Sequence, residues 1–409
     1  MKRRDVIKGL TMLPLTGGVM GTVLLSDSAS AAPATAKKIK RDLFKELGVR
    51  TFINARGTIT FMTGSLMHDY VLETINDTSK DFCMLDELQD KVGEKIAQMT
   101  HSEAATITSG AFSALTLGMA GILTGMDKTK VEALPNLEGT GMKSEVIIQK
   151  RHQIDYNHAL VNCGVKLVYV ETPEDVDRAV NEKTASMHFL GSGAVEGTIM
   201  PEAWVSLAEK HQLPASLDMA ANVPPVCNIW KFNDMGFSFV ALSGGKAIRG
   251  PQSAGILMGK KEIIAAARLS APPRGFNVGR GMKVNKEEIL GMYVALEKYI
   301  NQDHDKEWKE WEARVASIAN AAKTVSGVTT ESYVPPIADH TPTLKISWDT
   351  GKVKLSGDEL LQKLSKGDPS IEAYGGGKNS ITVSPWMMLP GQEKIVAARI
   401  KEELSKASA

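Results

Sequence analysis

Three groups of residues in this sequence have types and spacing that chemistry could use. Lys246 lies in Ser243-Gly244-Gly245-Lys246-Ala247-Ile248-Arg249-Gly250-Pro251-Gln252, directly behind an apolar run and between glycines that let other atoms approach the backbone. A lysine held there is desolvated, and its neutral amine can form a Schiff base with an aldehyde. A surface lysine in a turn is the plainer alternative. Asp218 ends the short strand Ala215-Ser216-Leu217 and so falls in the crevice at the carboxyl edge of a sheet, where open α/β folds bind ligands. A carboxylate in that crevice holds a pyridine nitrogen protonated and makes the ring an electron sink, or else it caps a helix. Ser109, Gly110 and Ala111 form a strand-to-helix turn whose free backbone N–H groups suit a phosphate. Gly110 precedes Asp218 by 108 residues, and Asp218 precedes Lys246 by 28.

The elements that must position these groups alternate between strand and helix. Ala104 to Thr108 reads as a buried strand, followed by a small, apolar, helix-compatible run from Ala111 to Leu123. Val146 to Ile148, Lys166 to Val170, Ala185 to Leu190, Ala215 to Leu217, Phe237 to Leu242 and Ala254 to Met258 are further strand candidates. Helical stretches such as Pro173 to Val180 and Pro201 to His211 separate them. Seven strands with intervening helices predict a mostly parallel sheet covered on both faces. From Asn285 to Lys323 a periodic stretch reads as a domain-spanning helix. A small α/β lobe follows, with strand (Thr343 to Trp348), helix (Gly357 to Lys366), strand (Ser380 to Ser384) and closing helix (Gln392 to Lys406).

The order phosphate turn, acidic strand end, lysine loop fits the large domain of fold type I pyridoxal phosphate enzymes. Ile53-Asn54-Ala55-Arg56-Gly57-Thr58, Ser109-Gly110-Ala111, Arg151-His152-Gln153-Ile154-Asp155-Tyr156, Asp218-Met219-Ala220, the lysine loop and Gly279-Arg280-Gly281-Met282-Lys283 carry the resemblance. Together they resemble the selenocysteine synthase and D-glucosaminate-6-phosphate ammonia-lyase family, from roughly Asp42 to the C-terminus. The resemblance implies pyridoxal 5'-phosphate as cofactor, Lys246 as its Schiff-base lysine and Asp218 as the partner of the ring nitrogen. It also implies that Ser109, Gly110 and Ala111, helped by Ser243, hold the phosphate. His152 is expected to stack on the ring or move protons, with a structural surface histidine as the alternative. Ser192, in Gly191-Ser192-Gly193, is a candidate donor to the phenolic oxygen or a plain turn serine. Arg249, Arg280 and Arg56, with Arg274, are the cations expected to meet a substrate carboxylate in two-pronged fashion, or else to be solvated.

Composition bounds the partners. The 409 residues are 43% hydrophobic and 23% charged, enough for a large core and two or three domains at roughly 150 residues each. A net charge of +1 gives no electrostatic footprint for nucleic acid, and no nucleic-acid partner is expected. Cys83, Cys163 and Cys227 form no CxxC pair, and neither HExxH nor metal-ligand histidine spacing occurs, so no metal is expected. At the N-terminus, Lys2-Arg3-Arg4-Asp5-Val6-Ile7-Lys8, an interrupted apolar stretch and Ala29-Ser30-Ala31 stand in signal-peptide order. The paired arginines resemble a twin-arginine signal, which implies folded export to the periplasm through that machinery.

The expected organisation is a signal at 1–31, an N-terminal arm at 32–69, a large cofactor-binding domain at 70–284, and a linking helix with a small domain at 285–409. The expected function is a pyridoxal-phosphate-dependent lyase acting on an amino acid or amino-sugar acid. Its reaction is α-proton abstraction and β-elimination to a 2-oxo acid and ammonia. A transferase, a racemase and a non-catalytic cofactor-binding protein are the alternatives. A homo-oligomer, at least a dimer, is expected to share its active site, with Asn54 to Thr58 and Gly279 to Lys283 reaching across the interface.

Overall fold

The structure is a computed structural model and describes residues 41–408. The paired arginines, the apolar stretch and Ala29-Ser30-Ala31 lie outside the described residues. The described residues fall into two units, divided after Arg50. The described part of the first holds a one-turn helix, Leu43–Glu46, whose N-cap Asp42 accepts the Lys45 N–H at 3.1 Å.

The second unit contains the strands β1 (Ile53–Asn54), β2 (Ala104–Thr108), β3 (Glu145–Gln149), β4 (Lys166–Val170), β5 (Thr184–Leu190), β6 (Ala215–Asp218), β7 (Phe239–Ser243), β8 (Gly255–Gly259), β9 (Val328–Tyr333), β10 (Thr343–Trp348), β11 (Ile371–Glu372), β12 (Tyr374–Gly375) and β13 (Ser380–Val383). Seven of them, β2 to β8, form one sheet in the order β2-β8-β7-β6-β5-β3-β4. It is parallel throughout except for β8, which runs antiparallel to both β2 and β7. Helices on both faces explain the strands' unbroken apolar runs; β5 is buried along its whole length.

A second sheet, β12-β13-β10-β9, is antiparallel and has its own core around Leu344, Ile346, Trp348, Ile381 and Ile400. The segment expected to be a free arm is pinned to this lobe. Ile53 and Asn54 pair in parallel with Ile371 and Glu372, and the Asn54 Oδ1 accepts the Arg56 and Gly57 N–H groups at 3.0 Å each. That turn sends Thr58 back toward the large sheet of the same chain.

The stretch expected as one long helix is two, Lys286–Asn301 and His304–Ala322. Asp303 breaks it by capping the second helix, accepting the Lys306 N–H at 2.9 Å. A side-chain cap satisfies a backbone donor that a continuing helix would bond internally, and here it overrides periodicity. Ile289 and Leu296 of the first helix pack in the large core, while Val315 and Ile318 of the second pack in the small one. Among the described residues no helix is long and apolar enough to cross a membrane.

Candidate active site

The carboxyl ends of β2, β6 and β7 meet at one edge of the large sheet, and a cavity of about 350 Å³ lies there. Asp218, Lys246, Ser243, Ser192 and Ala111 all line it. The sequence separates these residues widely, and the strand order brings them together.

Lys246 owes its position to a loop folded back on itself. The Gly244 N–H donates to the Ala254 carbonyl at 2.9 Å, the Gly250 N–H to the Gly244 carbonyl at 2.9 Å, and the Arg249 N–H to the Lys246 carbonyl at 3.0 Å. A Cβ on Gly245 would stand 2.5 Å from the Gln252 Cα, so only glycine lets the loop close this tightly. Burial pushes the Lys246 amine below its usual range, against the charges of Asp218 and Asp339. A buried ammonium loses hydration, so the neutral form is favoured.

Asp218 is 7% exposed, and its Oδ1 accepts the Ala220 N–H at 2.9 Å. Burial raises its carboxyl, opposed by that bond and by Lys246. Ala220 and Ala221, which also line the cavity, leave room beside it.

The third group is the N-terminus of the helix Gly110–Thr124, whose N-cap, Ser109, makes no side-chain cap bond. Gly110 has φ +84, and a Cβ there would meet nothing within 4 Å. The first backbone donors of this four-turn helix have no intrahelical partner and stand at its positive end, which attracts an anion. The Ser109 hydroxyl pairs with that of Ser113 at 2.9 Å. An amine with a lowered pKa, a buried carboxylate and a helix N-terminus around one cavity form a donor set that fits an aldehyde, a ring nitrogen and a phosphate.

Other expected site residues fall elsewhere. His152 is fully buried and is absent from the cavity lining, where Ile154 and Tyr156 of the same loop stand instead. Its Nδ1 accepts the Leu190 N–H at 3.2 Å, its Nε2 lies 3.1 Å from the Gly193 carbonyl, and its ring packs edge-on against Phe189. Burial lowers it to about 4, so it is neutral at ordinary pH. Arg249 donates to the Leu66 carbonyl at 2.8 Å and faces the charges of Glu307 and Asp69 rather than the cavity. Arg274 pairs with Asp86 at 3.2 Å, and Arg280 is exposed. Arg56 lies over the Phe61 ring at 5.4 Å, in the segment that lines the cavity through Thr58, Thr60 and Gly64. Gly279, expected to reach outward, is buried, with room for no Cβ beside the Ser270 carbonyl.

The Thr58 to Gly64 wall, Tyr156 and Asp339 were not singled out by the sequence as site residues. Asp339 follows β9 in a turn that reads as linker, and only the packing of the small lobe brings it within range of Lys246.

No family model matches the chain. It is 25% identical over 374 residues to D-glucosaminate-6-phosphate ammonia lyase of Salmonella typhimurium, covering 88% of this chain and 97% of that protein. It is 24% identical over 376 residues to a 5'-C-glycyluridine monooxygenase-decarboxylase of Streptomyces, covering 88% and 92%. An L-seryl-tRNA(Sec) selenium transferase of Alkaliphilus oremlandii is 23% identical over 282 residues, or 61% of this chain and 57% of that one. Among solved structures, a D-glucosaminate-6-phosphate ammonia-lyase superposes with TM-score 0.79 at 24% identity, over 90% of this chain and all of the other. A serine palmitoyltransferase of S. paucimobilis with bound pyridoxal phosphate superposes with TM-score 0.53 at 12% identity, over 86% and 87%. The large mostly parallel sheet and smaller antiparallel lobe are therefore those of the fold type I pyridoxal-phosphate-dependent enzymes.

Proposed function

We propose that this chain is a pyridoxal-phosphate-dependent lyase that releases ammonia from an amino acid or amino-sugar acid by β-elimination, leaving a 2-oxo acid. The observation that carries the reading is one cavity lined by Lys246, Asp218 and Ala111 in the first turn of the helix Gly110–Thr124, with Ser109 and Gly110 directly before it. The likeness to an ammonia lyase over most of both chains supports it. When bound, pyridoxal phosphate supplies an aldehyde for the substrate amine and a protonated ring that accepts electrons from the broken α C–H bond.

The chain's own residues do the rest. The helix N-terminus with Ser243 would hold the phosphate, and Asp218 would keep a proton on the ring nitrogen. Lys246, its amine favoured neutral by burial, takes the α-proton. Ser192 lines the cavity within the turn after β5 and is assigned to the phenolic oxygen. Of the arginines, Arg56 is assigned to the substrate carboxylate because its segment forms a cavity wall.

Racemisation and group transfer at the β-carbon share the first proton abstraction. Steady-state assays against amino acids and amino-sugar acids, scoring ammonia, 2-oxo acid and enantiomer inversion, separate the three. Ammonia with 2-oxo acid is expected. Inversion alone would make the chain a racemase, and cofactor binding without any product would make it a binding protein.

The active form is assigned as a homo-oligomer. Phe61 and Leu66 are 77% and 58% exposed beside the cavity wall, and a second subunit over them would close the site. Export in the folded state is assigned to the paired arginines, with cofactor loaded beforehand and the periplasm as destination. Arg3→Lys with Arg4→Lys should leave active, cofactor-bound protein in the cytoplasm. Delivery of that double variant to the periplasm would rule out the twin-arginine route. An active monomer in sedimentation would rule out the shared site.

A further inference from the structure

Two walls of the cavity come from distant parts of the chain. The lysine loop supplies Gly245, Lys246 and Gln252, and residues 58–64 supply Thr58, Thr60 and Gly64. Three contacts join them. The Gln252 Nε2 donates to the Thr60 carbonyl at 3.2 Å, and Gly64 lies so near the Gly245 carbonyl that a Cβ would stand 2.4 Å from its oxygen. The third comes from behind the cavity, where the Arg249 Nε donates to the Leu66 carbonyl at 2.8 Å. A guanidinium donor makes this the strongest of the three, since the Gln252 amide is uncharged and the glycine contact is steric alone. The wall segment is otherwise lightly held: Phe61 and Leu66 are exposed, and the Ser65 hydroxyl is buried without a partner.

Arg249 is also out of place for its backbone. Its φ is +53, a left-handed conformation natural to a glycine such as its neighbour Gly250 and costly for a residue with a side chain. Such a residue persists where its surroundings hold it there, and these positions gather at functional sites. The Arg249 N–H closes the turn on the Lys246 carbonyl at 3.0 Å, so one residue touches both the lysine's own peptide and the opposite wall. Its half-buried guanidinium faces Glu307 in the helix His304–Ala322 and Asp69 and Tyr70 at the start of the helix Asp69–Thr78, with the like charge of Arg314 beyond.

We infer that Arg249 is a positioning residue, which clamps residues 58–66 to the lysine loop and thereby sets how tightly a substrate is held without touching it. The kinetic part of the inference rests on the lyase reading above. With the clamp closed, Thr58 and Thr60 complete the cavity beside Lys246. With it open, only a fraction of the molecules is competent, and the apparent affinity falls by that fraction. Lys246 keeps its place in either case, because the bonds from Gly250 to Gly244 and from Gly244 to Ala254 make no use of the Arg249 side chain.

The test compares cofactor-loaded wild type with Arg249→Met, which keeps the stem but neither donor nor charge, and Arg249→Lys, which keeps both. The probe is D-glucosaminate, an amino-sugar acid long enough to reach the wall. In Arg249→Met the KM for ammonia release should rise ~10–10²-fold, the equilibrium range for one charge-assisted hydrogen bond. Its kcat should stay within a few-fold of wild type, and its cofactor absorbance should be unchanged. Arg249→Lys should recover most of the loss. In the cofactor-free proteins, amide hydrogen exchange over residues 58–66 should quicken in Arg249→Met while that of the helix Gly110–Thr124 does not. A fall in kcat with KM unmoved, an altered cofactor absorbance, Arg249→Lys no better than Arg249→Met, or unmoved exchange over 58–66 would overturn the positioning role and leave the lyase reading intact. A wild type that releases no ammonia from any amino acid or amino-sugar acid would overturn the lyase reading, and the exchange over 58–66 would then decide by itself whether Arg249 is the clamp.

Discussion

Lys246→Ala is expected to release ammonia ~10⁴-fold more slowly than wild type, the upper end of what loss of a general base costs. Lys246 is the one amine among the side chains lining the cavity, so no neighbouring lysine can replace it. Because burial lowers its pKa, the proton-accepting form is already present below the usual lysine range. Wild-type activity should therefore fall as pH drops through that lowered value, and be retained above it. Borohydride reduction of the cofactor-loaded protein followed by peptide mapping should place the pyridoxyl group on Lys246. A label on another lysine, or a variant that keeps its rate, would remove Lys246 from the chemistry.

Asp218→Asn should keep the cofactor but slow exchange of the substrate α-proton in D₂O by ~10²–10⁴-fold, the range for lost acid–base or electrostatic help. The substitution preserves size, and the amide oxygen still accepts the Ala220 N–H that Asp218 accepts at 2.9 Å. Folding is thus spared while the charge proposed to pair with the ring nitrogen is removed. Retention follows because the helix N-terminus and Lys246 still bind. A loss of only a few-fold would assign Asp218 to holding the turn at Ala220.

What could be read from the sequence was what is local. A lysine loop folded on its own glycines and an apolar strand running into a glycine turn and a helix each leave a signature within a dozen residues. The placing of Lys246, Asp218 and Ala111 at one sheet edge was legible for that reason, as were the strands of the large sheet. His152 misled because its type suggests chemistry, whereas its neighbours come from β5 and the turn after it and bury it completely. Asp339 left no mark because its meaning depends on a contact with Thr58 that only the docking of the small lobe creates. The break at Asp303 was legible in principle, as an aspartate three residues before Lys306, but the apolar period on either side hid it.

The reversed strand β8 has a consequence for ligand size. It lies between β2, which ends at the phosphate turn, and β7, which ends at the lysine loop. Gly255 at its start packs so closely on that turn that an added Cβ would stand 2.5 Å from the Gly110 carbonyl carbon. The sheet edge thereby acts as a ruler with two divisions, each about 4.8 Å, between anion and amine. Loops around the cavity can lengthen or shorten and alter which amino compound is accepted. If the proposed cofactor bridges the two ends, its span is fixed by strand number, so selection for the cofactor would lie in backbone spacing and selection for the substrate in side chains.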